Sequence, residues 1–164
     1  MLLVESRIGL ITDYQVLDGN PIDSDQLVPS VQRHHKRFGT VPRVLAGDRG
    51  FHAAAGCETV RRRGVTLVAI PQRGGKRSVE QEQFEKSRPF KQAQAFRSGV
   101  EGRISVLFLG RGMKRCLWSG RERFELFLAA VLANNLLVIA ARLQKRPTSV
   151  AATPHGCDNV ELRA

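Results

Sequence analysis

The sequence predicts an α/β domain with a mixed sheet, an antiparallel hairpin plus parallel strands, flanked by helices. Two observations carry that prediction. First, the strand-like runs "LLVES" and "LITDYQVL" are separated only by Arg7, Ile8 and Gly9, a connection short enough to force antiparallel pairing. Second, the short apolar runs "RVLAG" and "VTLVAIP" stand on either side of the alanine-rich, helix-forming stretch "HAAAGCETVRRRG". Two buried-type strands joined by a helix close as a right-handed crossover and lie parallel.

Along the chain, the hairpin is followed by "DGNPIDSDQL", whose Gly, Asn and Pro mark a turn. Ser24 and Asp25 are residues that start helices. Leu27, Val31, His34 and Phe38 then recur at helical spacing and predict one apolar stripe on a helix ending near Gly39. "RVLAG" reads as a buried strand ending at Asp48, the alanine-rich helix stops at Gly64, and "VTLVAIP" is β-branched and closed by Pro71. The polar stretch from Gln72 to Lys91 predicts an exposed loop or a short helix. Its "RGGKR" lacks the GxxxxGK[ST] arrangement of a phosphate-binding loop. Phe96, Val100, Ile104 and Leu107 mark a further amphipathic helix that carries Arg97 and Glu101 beside its apolar stripe. The segment from about Arg121 to Leu143 is apolar on nearly every side and predicts a helix packed inside. Residues 145–164 hold prolines and small residues without a period, which predicts a disordered tail.

At 164 residues, with 42% hydrophobic and 25% charged residues, the chain has the size and composition of one globular domain, not of a disordered or collagen-like polymer. The formal charge of +11 is its outlying property. Between Arg61 and Arg123 there are 16 Lys and Arg against five Glu, so this central stretch holds the whole excess. Such a concentration suits a polyanion, because each neutralised phosphate releases a condensed counterion. Cys57, Cys116 and Cys157 have no metal-ligand spacing and read as reduced thiols. "MLLVESR" meets Glu5 and Arg7 before a signal-peptide core develops, and the apolar run "LFLAAVLANNLLVIAA" is too short to cross a bilayer. The expectation is therefore a cytoplasmic protein with no membrane partner.

Asp48 has two readings: a cap for the next helix, or a group at a strand's carboxyl end, where open α/β sheets place their chemistry. Glu101, taken alone, is an ordinary helix-surface residue, and Arg97 one turn earlier can simply pair with it. His34, His35 and His52 lack ligand partners at useful spacing and read as structural.

In this order, "LAGDRGF" resembles the segment bearing the second catalytic Asp of bacterial insertion-sequence DDE transposases. "FRSGVEGRISVL" resembles the helix bearing their final Glu. "GLITDYQVLDGNPIDSDQLVPSV" and "RFELFLAAVLANNLL" are similar to the family's hairpin strand with first helix and to its closing helix, so the likeness spans residues 8 to 143. The resemblance implies an incomplete ribonuclease H-like fold over residues 1–144. It implies metal-dependent phosphoryl transfer that cleaves and joins DNA, with Asp48 and Glu101 as catalytic and metal-binding residues and Mg²⁺ or Mn²⁺ as cofactor. Two hard cations held by carboxylates suit that chemistry, since they activate the nucleophile and steady the leaving oxygen. Arg73, Lys76, Arg77, Arg97, Arg103, Arg111, Lys114 and Arg115 are the expected DNA contacts. Double-stranded DNA, a second copy or an intact transposase are the expected partners. Of the family's Tyr-x2-Arg-x3-Glu-x6-Lys signature the chain keeps Arg97 and Glu101, with Gln94 and Phe108 at the outer positions. The family's first catalytic Asp lies on a strand before the hairpin. The expectation is thus the carboxyl-terminal portion of a transposase, inactive alone, with a non-catalytic DNA-binding or regulatory remnant as the alternative.

Overall fold

The computed structural model describes residues 2–105, 129–144 and 159–163. Its elements are β1 (Leu2–Ser6), β2 (Ile11–Gln15), α1 (Leu27–Phe38), β3 (Val44–Ala46), α2 (Ala54–Arg62), β4 (Leu67–Ala69), α3 (Val79–Lys86), α4 (Arg88–Ser105), α5 (Ala129–Gln144) and β5 (Asn159–Arg163). The five strands form one sheet in the order β2-β1-β5-β3-β4. β1 and β2 make the expected antiparallel hairpin, and β3 and β4 the expected parallel pair, in register Val44↔Leu67 to Ala46↔Ala69.

The sequence did not announce the centre of the sheet. β5 lies between the two pairs, antiparallel to β1 (Leu3↔Arg163 to Ser6↔Val160) and parallel to β3 (Val44↔Asn159 to Ala46↔Glu161). Part of the segment expected to be a disordered tail is therefore the strand that joins the two halves. β1, flanked on both edges, is buried at all five positions, as its apolar "LLV" start suits.

The sheet separates two apolar layers. On one face Leu2, Val4, Leu45 and Val68 meet Leu27 and Val31 of α1, Phe51, and Cys57 and Val60 of α2. Burying each large aliphatic there contributes about 1.5–3 kcal/mol. On the other face Ala46 and Ala69 receive Phe90 and Ala93 of α4, with Phe84 of α3 edge-on to Phe90 at 5.3 Å. The small strand residues allow α4 to approach closely.

Several elements differ from expectation in informative ways. A 3₁₀ turn, Asp23–Gln26, leads into α1, so neither Ser24 nor Asp25 caps that helix by side chain. α1 ends at Gly39, whose φ of 74° is left-handed and suits glycine. Leu27, Val31 and His34 of its stripe are buried, but Phe38 is exposed. The polar stretch contains α3, capped by Ser78 accepting from the Gln81 N–H. α5, expected to be enclosed, buries Val131 and Asn134 while Leu132, Leu136 and Leu143 are exposed. Its Asn135 amide accepts from the Ile11 N–H at 2.9 Å and donates to the Ile11 carbonyl at 2.8 Å. β2 is an edge strand, and Asn135 supplies the pairing that a further strand would have made.

Candidate functional site

β3 ends at Ala46 because the chain is pinned there. The Gly47 N–H donates to the Ala69 carbonyl, and a Cβ on Gly47 would stand 3.2 Å from Ile70 Cγ1, a tight approach that favours glycine. Asp48 follows in extended conformation and caps a 3₁₀ turn, Arg49–Phe51, by accepting the Arg49 N–H. Its other carboxylate oxygen lies 3.6 Å from a guanidinium nitrogen of Arg97. Asp48 thus caps this 3₁₀ turn and not helix α2, and it stands exposed at the carboxyl end of a sheet strand.

α4 is laid across these strand ends. Phe90 and Ala93 anchor its first half. One turn later the Gln94 side-chain amide donates to the carbonyls of Gly47, at 3.1 Å, and Ala69. These carbonyls close β3 and β4, so Gln94 clamps the helix to both. Arg97 follows at Asp48, and Glu101 lies a further helical turn along α4. Geometry thus brings Arg97 to Asp48 and puts Glu101 on the same helix. The side chains of Glu101 and Arg103 lie outside the described residues, as do Arg111, Lys114 and Arg115 entirely.

The loop after β4 brings Arg73, Lys76 and Arg77 to this same carboxyl end, all exposed. Gly74 and Gly75 turn it with positive φ of 66° and 67°. Glu85 of α3 holds its base: it accepts from the Gln72 N–H at 2.9 Å, from the Gln81 amide at 2.9 Å and from Arg77 Nε at 3.0 Å. Burial pushes the Glu85 carboxyl up, but those donors together outweigh it and hold it below its ordinary value.

One acid that the sequence reading did not single out, Asp23, borders the site. A Cβ on Gly50 would stand 2.7 Å from Asp23 Oδ2, so the Asp23 carboxylate lies against the turn that Asp48 caps. Only the fold brings it there, since "PIDSDQL" reads as a turn and helix start. Glu5 is buried in β1, and the backbone of Glu161 is aligned between Glu5 and Ala46. Asp13, by contrast, is a structural ion: Arg33 and Arg37 bind it at 2.7 and 3.0 Å. Among the described residues no three His, Cys, Asp or Glu side chains group to hold a metal. The described donors, with Asp48 engaged by Arg97, therefore do not compose a Mg²⁺ site.

His34 and Cys57 take the structural roles expected of them. His34 is buried with its ring 4.7 Å from that of Phe38, and burial lowers its pKa below the ordinary imidazole value. Burial likewise pushes the Cys57 thiol up, which keeps it protonated and unreactive.

Among the described residues no helix is long and apolar enough to cross a membrane. Comparison of the chain with protein-family models, with curated proteins and with solved structures finds no match.

Proposed function

We propose that this chain is a fragment of a DDE transposase core, built on an incomplete ribonuclease H-like fold, that binds double-stranded DNA and does not join strands by itself. The observation that carries the reading is the laying of α4 across the carboxyl ends of β3 and β4, with Arg97 on Asp48 and Gln94 on both strand ends. A basic loop stands at the same end, which is where open α/β sheets bind ligands. Phosphoryl transfer asks mainly for charge stabilisation and alignment there. Mg²⁺ or Mn²⁺ would require Asp48 to exchange Arg97 for the metal, with Glu101 as the further carboxylate. When bound, the ions would activate the attacking hydroxyl and steady the leaving oxygen.

The Asp48–Arg97 pair favours a second reading, a non-catalytic DNA-binding or regulatory remnant that pairs with an intact transposase. The two readings part on metal dependence. In a nicking assay on supercoiled DNA with Mg²⁺ or Mn²⁺, the full chain is expected to give no turnover, while a duplex is bound in a salt-sensitive manner. Turnover that Asp48→Ala abolishes would overturn the inactivity. Duplex binding that is indifferent to metal and to Asp48→Asn supports the remnant. Failure to bind duplex at low salt would end both.

A further inference from the structure

We propose that the end of the sheet opposite Asp48 is a second nucleic-acid contact, one that grips the phosphate backbone of a duplex independently of the candidate site. The inference rests on the DNA reading and adds a surface to it.

β3 and β4 are parallel and in register, so the connections that enter them lie side by side. One runs from Gly39 to Arg43 and the other from Arg63 to Thr66. They touch, since a Cβ on Gly64 would stand 3.2 Å from Val41 Cγ2, and the Leu67 N–H donates to the Arg43 carbonyl at 3.0 Å. This edge gathers Lys36 from the last turn of α1, Arg43 from the first connection, and Arg61, Arg62 and Arg63 from the end of α2. β1 runs opposite to β3, so the β1–β2 turn with Arg7 reaches the same end. All six cations are exposed.

Helix dipoles account for only part of this charge. The carbonyl ends of α1 and α2 each present about half a negative charge. Glu58 adds one more and is bridged by Arg61 and Arg62 at 4.0 and 3.1 Å. Six exposed cations against these partners leave the edge net positive. Arg7 and Arg43 lie outside any helix. Five of the six are arginines, whose planar fork matches phosphate oxygens in pairs where lysine offers a point charge. Arg43 and Asp48 stand five positions apart, about 16 Å of extended chain, so the two ends act as separate surfaces.

The test uses the full chain and a 20-base-pair duplex of arbitrary sequence, followed by fluorescence anisotropy between about 50 and 200 mM salt. Arg62→Glu with Arg63→Glu is expected to weaken binding at least about tenfold and to reduce the log-log salt slope by about two, since each phosphate contact contributes close to 0.9. Arg62→Gln with Arg63→Gln removes charge without reversing it and should lower the slope by a similar amount with the melting temperature retained. The same double change at Arg73 and Lys76 should lower it separately, and the two effects should add. If the Gln pair binds as wild type while the Arg73 and Lys76 pair loses affinity, this edge is no contact although the DNA reading survives. If wild type ignores the duplex, or prefers anionic vesicles to it, both fall.

Discussion

The two halves of the sheet are assembled on different length scales. β3, α2 and β4 form a unit of some 25 consecutive residues in which strand, helix and strand each follow from local pattern. β1 and β2 are equally local, but within the sheet they join β3 through β5, whose partners lie more than a hundred residues away in sequence. Local units form wherever pattern and turns agree. A strand inserted between them is chosen because two open ladder edges cost more unpaired than a polar segment costs to insert. The candidate site belongs to the local half, and the closure of the sheet belongs to the distant one.

The largest expected effect tests that closure. Val160 is aligned with Ser6 on one side and Leu45 on the other. Val160→Pro removes a ladder donor from the middle of the sheet and should lower stability by about 3 kcal/mol, read as a shift of the urea midpoint. An unchanged midpoint would mean that β5 does not hold the halves together.

Next comes the outer edge of the distant half. Asn135→Ala leaves the Ile11 N–H and carbonyl without their side-chain partner, and a loss of about 1–3 kcal/mol is expected. Equilibrium unfolding decides it, and a neutral result would show that solvent replaces the amide.

The interior beneath the local half carries a pH dependence. Folding lowers the His34 pKa below its ordinary value of 6.5 by burial, so the unfolded chain binds the proton more readily. The contribution of neutral His34 to stability is full above about pH 6.5 and declines as the pH falls below it towards the lower folded value. Unfolding monitored from pH 8 to 5 should show the decline in wild type and lose it in His34→Phe. A decline that persists in the variant assigns the effect to other groups.

The smallest effect sharpens the reading of the site. Asp48 and Arg97 form an exposed pair, so Asp48→Asn should change stability by less than about 1 kcal/mol. A larger loss in thermal unfolding would make Asp48 a structural residue first and weaken its functional reading.

Much of the local half was legible. Short apolar runs, β-branched in "VTLVAIP", located β1, β3 and β4 within a residue or two. Gly39 and Gly64 marked the ends of the helices before β3 and β4, and the structure gives them the left-handed φ of 74° and 105° that suits glycine. Asp48 was identified by its position behind an apolar run. Its pairing with Arg97 was not, because 48 residues intervene and spacing along a chain is silent about such contacts. Gln94 appeared as a departure from a signature and proved to be the clamp between α4 and two strand ends. The exposed stripe of α5 ran against its composition. Apolar content shows that a helix can be buried, whereas the neighbours available decide which face is.

By itself, then, the amino-acid order determined the kinds of elements, the parallel and antiparallel pairs, and a cationic middle segment, since each depends on neighbours within a few turns of chain. Only the tertiary structure decided that residues 159–163 occupy the sheet's centre, that Asp23 borders the Asp48 turn, and that the two basic surfaces lie at opposite ends of the same strands. Those outcomes depend on which backbone edges and side chains remain unsatisfied once the local units have formed, and no short window of sequence contains that information.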